Sequence, residues 1–129
     1  MVRCLDASFV IDLVKGEVSA VRKAKTLDDA GERLAIPAPA LAEVLVGAYF
    51  RGGPVLRKTL ELLSGLDVLP VDEGAAEEAG RIGAELLRRG TALPTVDLLI
   101  AAVAKSNRRI LVTRDDAFAR IPDLAVEAY

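Results

Sequence analysis

The sequence predicts an α/β fold, a short parallel sheet of four or five strands flanked by helices on both faces. Three observations carry that expectation. Short apolar runs alternate with stretches of helical periodicity along the chain, the pattern of strand–helix–strand units. All the runs are short, as buried strands of a small parallel sheet are. The 129 residues contain no repeat, no low-complexity segment and no linker, so they read as one domain, 1–129, large enough to bury a core.

The first strand lies within residues 2–5 and stops at Asp6. Ser8 is then the expected N-cap of a helix running to about Lys15, with Phe9, Val10, Leu13 and Val14 as its apolar stripe and Gly16 as its breaker. A second helix is expected over 17–29, ended by Gly31. Residues 34–36 form a second strand, closed by Pro37 and Pro39. From 40 to 50 the pattern is helical and apolar almost all round, which predicts a buried helix interrupted only by Glu43. Tyr49 and Phe50 at its end are read as core, with a partner interface as the other reading.

A turn at Gly52-Gly53-Pro54 leads into an amphipathic helix over 55–63, and 66–71 is the third strand. Asp72 or Glu73 opens a long helix to about Arg89, with Ala76, Ala79, Ile82, Gly83, Leu86 and Leu87 as its stripe. A helix over 95–106 is apolar from Val96 to Ala104 except for Asp97. Residues 110–112 are the fourth strand, a short helix carries Phe118 and Ile121, and 124–126 is a weak last strand.

Composition narrows the chemistry. There is no histidine, which removes the commonest general base and rules out Ser-His-Asp and Cys-His nucleophiles. A metal would have to be held by oxygen, favouring magnesium or manganese over zinc. The single cysteine, Cys4, lies in an apolar run and reads as a small buried hydrophobe. The net charge of −2 supplies no global field for a polyanion. No apolar run is long enough to span a bilayer and the N-terminus does not fit a signal peptide, so a cytoplasmic protein without membrane contact is expected.

Four acids stand in unusually apolar surroundings: Asp6, Glu43, Asp97 and Asp115. Each alone also has a structural reading. Asp6 and Asp115 could cap the helices they precede, and Asp97 sits in a first turn, where the helix dipole favours a carboxylate. Glu43 has nothing obvious to cap. Together they would converge on one sheet edge, where like charges and burial both oppose ionisation. A divalent cation resolves this conflict and ionises bound water near neutral pH. The chemistry favoured is phosphodiester hydrolysis assisted by one or two hard cations.

The stretches Leu5-Asp6-Ala7-Ser8, Ala42-Glu43-Val44-Leu45, 96–102 around Asp97, and Leu111-Val112-Thr113-Arg114-Asp115 together resemble the PIN domain. In particular the chain is similar to the VapC-type ribonuclease toxins of toxin–antitoxin pairs. The resemblance covers essentially the whole chain, in order. It implies a parallel sheet flanked by helices and an Mg2+- or Mn2+-dependent endoribonuclease acting on RNA. It also implies Asp6, Glu43, Asp97 and Asp115 as the metal site, supported by Ser8 and Thr113. A non-toxin RNA-processing nuclease and a non-catalytic relative are the alternatives. Asp116 adjoins Asp115 and competes with it as fourth ligand; Asp115 is favoured because it stands two residues after Thr113. Implied partners are a second copy of the chain and a small antitoxin covering the acidic pocket.

Arg114 and Arg120 are the arginines expected to hold substrate phosphates; the Arg108–Arg109 pair is near them in sequence, and Lys15 is close in sequence to the helix that Asp6 leads into. With aromatics at 4% of the chain, base stacking is a minor contribution. A phospho-acceptor signalling domain is disfavoured, because Ala7 follows Asp6 where a second acid is needed and no lysine lies beyond Lys105.

Overall fold

A computed structural model describes residues 2–129. Five parallel strands form one sheet: β1 (Arg3–Leu5), β2 (Ala35–Pro37), β3 (Asp67–Leu69), β4 (Ile110–Val112) and β5 (Val126–Glu127), in the order β3-β2-β1-β4-β5. Cys4 and Leu5, Ala35 through Pro37, and Leu111 and Val112 are consecutive buried residues. Successive strand side chains point to opposite faces, so both faces of the central strands are covered.

The chain runs outward from β1 through β2 to β3, then returns to place β4 on the other side of β1. The order therefore reverses between β1 and β4. In open parallel sheets the crevice for ligands lies at the carboxyl ends of the strands flanking such a reversal. Asp6 follows β1 and Thr113 to Asp115 follow β4, so both stretches emerge at that crevice. The Asp6 N–H donates to Val112 O at 3.0 Å, continuing the ladder to the strand end.

The helices are α1 (Ala7–Lys15), α2 (Val18–Asp29), α3 (Ala38–Arg51), α4 (Gly53–Leu63), α5 (Glu73–Arg88) and α6 (Thr95–Ser106), with a 3₁₀ turn over Asp116–Arg120. Gly16 adopts φ 79° after α1 and returns its N–H to the helix carbonyls of Asp12 and Leu13, a left-handed stop that glycine takes without strain. Asp72 caps α5, accepting from the Ala75 N–H at 2.8 Å. Among the described residues no helix is long and apolar enough to cross a membrane.

Several local expectations change. Ser8 is not an N-cap: Asp6 occupies that position and Ser8 lies inside the first turn of α1. Pro37 ends β2 rather than closing it from outside, and Pro39 sits in the first turn of α3, where a missing N–H costs nothing. The third strand shortens to Asp67–Leu69 and the last moves on to Val126–Glu127.

The larger change is in α3. It is not buried all round: Ala40, Val44 and Ala48, spaced by four, are its buried line. The helix packs against α1, α4 and α6. Val46, Tyr49 and Phe50 face solvent, Phe50 at 91% exposure. The small residues that made the helix look uniformly apolar allow close packing on one side only. On α5, Ala75 takes the buried place expected of Ala76, and Leu87 is exposed. A Cβ on Gly83 would stand 2.7 Å from Leu98 Cδ1, so this glycine lets α5 approach the turn of α6 that carries Asp97.

Candidate metal centre

A cleft of about 410 Å³ opens at the carboxyl edge of the sheet, and Asp6, Glu43, Asp97 and Asp115 all line it. Each comes from a different segment: the end of β1, the second turn of α3, the first turn of α6 and the loop after β4. Ser8, Ile11 and Arg114 complete much of the wall. A second groove of about 300 Å³, between α1, α3 and α4, has no carboxylate in its lining.

Asp6 is the most firmly held of the four. Although it is the N-cap residue of α1, its side chain makes no capping bond. Its Oδ2 accepts from Thr113 Oγ1 at 2.7 Å and from Ser8 Oγ at 2.9 Å. A hydroxyl has one hydrogen, so both are spent on Asp6 and the 3.3 Å approach of Ser8 to Thr113 is contact without a bond. Thr113 Oγ1 in turn accepts from the Asp115 N–H at 3.0 Å. No hydrogen bond among the described residues reaches Asp6 Oδ1. No buried side-chain oxygen there lacks a partner, so Oδ1 reaches solvent although the residue as a whole is buried.

Asp115 also performs its structural role, its Oδ1 accepting from the Ala117 N–H at 2.9 Å. The cap and the cleft are therefore not alternatives for this residue. Glu43 and Asp97 have no hydrogen bond or ion pair among the described residues. Desolvation, then the charges of Asp6 and Asp97, push the Glu43 carboxyl above the usual range. Glu43 is exposed as a residue, yet the cleft wall still withdraws water from its carboxyl. Asp97 is raised likewise by desolvation, then by Asp115 and Asp6. Lys105, the nearest cation along α6, pairs instead with Glu78.

Among the described residues no three His, Cys, Asp or Glu side chains close round one point as metal ligands. The donor set fits a hard cation: it is all oxygen, and the chain has no histidine. Burial pushes the Cys4 thiol up to about 12, so it supplies no thiolate.

The expected phosphate-binding residues divide. Arg114 stands at the cleft. Arg120 ends the 3₁₀ turn and is exposed outside the cleft lining, as is Asp116 at the start of that turn. The Arg108–Arg109 pair precedes β4 and lies at the opposite edge of the sheet, where Arg109 Nη1 donates to Arg3 O at 3.0 Å. A parallel strand carries its two ends to opposite edges, which nearness in sequence conceals. Lys15, at the far end of α1, lines the apolar groove.

One acid was missed by sequence reasoning. Asp12 is buried on α1 and binds Arg114 Nη1 at 3.0 Å, while Tyr129 Oη donates to its Oδ2 at 2.6 Å. The available signal was a charge at helical spacing from Phe9 and Ser8, within the apolar stripe.

The chain matches the PIN domain family over residues 3–124. It is a member of that family. A similar relative is "Ribonuclease VapC5" of Mycobacterium tuberculosis, 34% identical across 82% of this chain and 83% of the relative. Another is the "tRNA(fMet)-specific endonuclease VapC" of Shigella flexneri, 31% identical across 95% of this chain and 94% of the relative. Among solved structures, VapBC-5 of Mycobacterium tuberculosis, described as a member of the VapBC family of toxin-antitoxin systems, superposes with a TM-score of 0.70. It is 30% identical, covering 98% of this chain and 96% of that one. In this PIN domain the crevice at the strand reversal and the acidic cleft are the same place.

Proposed function

We propose that this PIN-domain chain is a divalent-metal-dependent endoribonuclease, the toxin-like member of a toxin–antitoxin pair. In this reading Asp6, Glu43, Asp97 and Asp115 hold Mg2+ or Mn2+, Ser8 and Thr113 orient Asp6, and Arg114 meets a substrate phosphate. The observation that carries it is the meeting of four carboxylates, from four segments, in one cleft, none of them paired with a cation among the described residues. Asp116 and Arg120 stand outside that cleft and are assigned no part.

Held by Asp6, Glu43, Asp97 and Asp115, a hard divalent cation would supply polarisation of the scissile phosphate and a bound-water pKa lowered towards neutrality. The protein's own part is positioning. Asp6 offers an anchored carboxylate with one oxygen free, Asp115 a capped one, and Glu43 and Asp97 two that shed repulsion when neutralised. Arg114 adds a permanent positive charge at the rim for the phosphodiester backbone.

Transfer RNA is the first substrate to test, given the name of the relative from Shigella flexneri. A small antitoxin protein, acting in the cytoplasm, is the partner to test, given the toxin-antitoxin description of the neighbouring structure. A second copy of the chain is the other expected partner. The experiment is cleavage of a tRNA pool with Mn2+, with Mg2+ and with EDTA, by the parent and by Asp6→Asn and Asp97→Asn. Cleavage confined to the parent with cation is expected. Equal cutting by the folded variants refutes the assignment, and Mn2+ binding without turnover by the parent makes the chain a non-catalytic relative.

A further inference from the structure

The acidic cleft contains a paradox. Arg114 lines it, yet the guanidinium pairs with none of Asp6, Glu43, Asp97 or Asp115. Its hydrogen-bond partner among the described residues is Asp12, with Nη1 at 3.0 Å from both carboxylate oxygens. The pair is lopsided: the Arg114 side chain is 58% exposed and that of Asp12 only 4%. Asp12 is itself fixed from behind. Tyr129 Oη donates to its Oδ2 at 2.6 Å, and the Tyr129 ring stands edge-on to buried Phe9, with centroids 4.9 Å apart at 80°. The backbone N–H of Arg114 also meets Ser8 Oγ at 3.4 Å.

A flexible cation beside unneutralised carboxylates is drawn to them, and once there it opposes a metal ion by charge and by occupancy. An immobile buried carboxylate on the other side of the guanidinium counters that pull. We propose that Asp12, steadied by Tyr129, is a positioning residue that holds Arg114 on the cleft wall, keeping the guanidinium off the metal-site carboxylates and available to a substrate phosphate. The inference rests on the proposed metal site and adds a residue that neither touches metal nor substrate. One nitrogen of Arg114 is committed to Asp12, which leaves the rest of a five-donor fork for a phosphodiester.

The test is Mn2+ titration calorimetry on the parent, Asp12→Asn, Arg114→Ala and the double variant, with folding checked by thermal denaturation. Asp12→Asn is expected to weaken Mn2+ binding by about tenfold, roughly 1.4 kcal/mol. Arg114→Ala is expected to bind Mn2+ at least as tightly as the parent. The double variant is expected to recover parental affinity, because the cation that competed is gone. A purely structural role for Asp12 would not be rescued by deleting its partner. In parallel, the salt dependence of single-stranded RNA binding in Ca2+ is expected to lose about 0.7 of its log–log slope in Arg114→Ala.

Unchanged Mn2+ affinity in folded Asp12→Asn, or a double variant as weak as Asp12→Asn, overturns the proposal while leaving the metal site standing. A parent that binds no Mn2+ overturns both. If Asp12→Asn does not fold, Tyr129→Phe removes one bond to Asp12 and must weaken Mn2+ binding about two- to threefold, again with rescue by Arg114→Ala. Failure of that rescue also overturns the proposal.

Discussion

Thr113→Val tests the hydroxyl clamp on Asp6 with little change of shape. Thr113 is 2% exposed and its Oγ1 donates to Asp6 Oδ2 at 2.7 Å. A hydrogen bond to a charged group is worth about 1.5–3 kcal/mol. Ser8 remains on the same oxygen at 2.9 Å, so the carboxylate is weakened rather than orphaned. The Asp115 N–H loses its acceptor too, but Asp115 is exposed and water can replace it. Replacing a buried hydroxyl by a methyl returns roughly 0.5–1 kcal/mol of apolar burial. The net expectation is a loss of about 1–2 kcal/mol, read by urea denaturation at pH 7 in EDTA with an unchanged m-value. Ser8→Ala removes the longer bond at a half-buried site, so its loss should be about half as large. In both variants Mn2+ affinity should fall, because the free oxygen of Asp6 loses its fixed direction. A Thr113→Val protein as stable as the parent, with the same Mn2+ affinity, would refute the clamp.

Asp97→Asn should raise stability at pH 7 in EDTA while abolishing stabilisation by Mn2+, as seen in thermal denaturation. The sign follows from the raised carboxyl: its favourable contribution is complete below about pH 4 and is lost as pH rises through the folded-state value, whereas Asn never ionises. For the same reason the stability of the parent in EDTA should decline from about pH 4 towards neutrality relative to Asp97→Asn, and added Mn2+ should close the gap. Phe50→Ser should change unfolding stability by less than about 0.5 kcal/mol, because the ring is exposed; a larger loss would mean that it is buried in solution. Arg120→Ala should leave the KM for RNA near the parental value while Arg114→Ala raises it several-fold, since only Arg114 lines the cleft.

The sequence made the centre of the sheet legible because Cys4 and Leu5, Ala35 to Pro37, and Leu111 and Val112 are consecutive buried residues in apolar runs. Residues 110–112 coincide with β4 for that reason, and 95–106 with α6 because Leu98 and Ile100 to Ala104 are buried in its apolar run. Asp97 and Glu43 were legible as anomalies, acids interrupting apolar runs without a cation at helical spacing. What could not be read was direction. Arg109 and Arg114 are five residues apart and lie at opposite ends of β4. The exposure of Tyr49 and Phe50 was hidden because an all-apolar helix carries no phase until its neighbours choose a face. Asp12 was hidden by the opposite effect: Phe9 and Val10 marked the buried side of α1, but the cation that justifies an acid there comes from 102 positions later in the chain.

The four carboxylates are not equivalent, and the difference bears on how a cation would be bound. Asp6 and Asp115 are held by protein donors before any metal arrives. Glu43 and Asp97 have no such donors, and they are the two whose ionisation burial and neighbouring charge oppose. Under the proposed function the cleft would combine a hydrogen-bonded pair with an unpartnered, strained pair whose ionisation is opposed. Neutralisation by a bound cation would relieve the desolvation and repulsion that oppose ionisation of the second pair. Because that binding favours the folded chain alone, stability should rise with cation concentration as RT ln(1 + [L]/Kd). Removing an acid of the strained pair should then abolish this dependence while improving the metal-free fold, whereas removing Asp6 should weaken both.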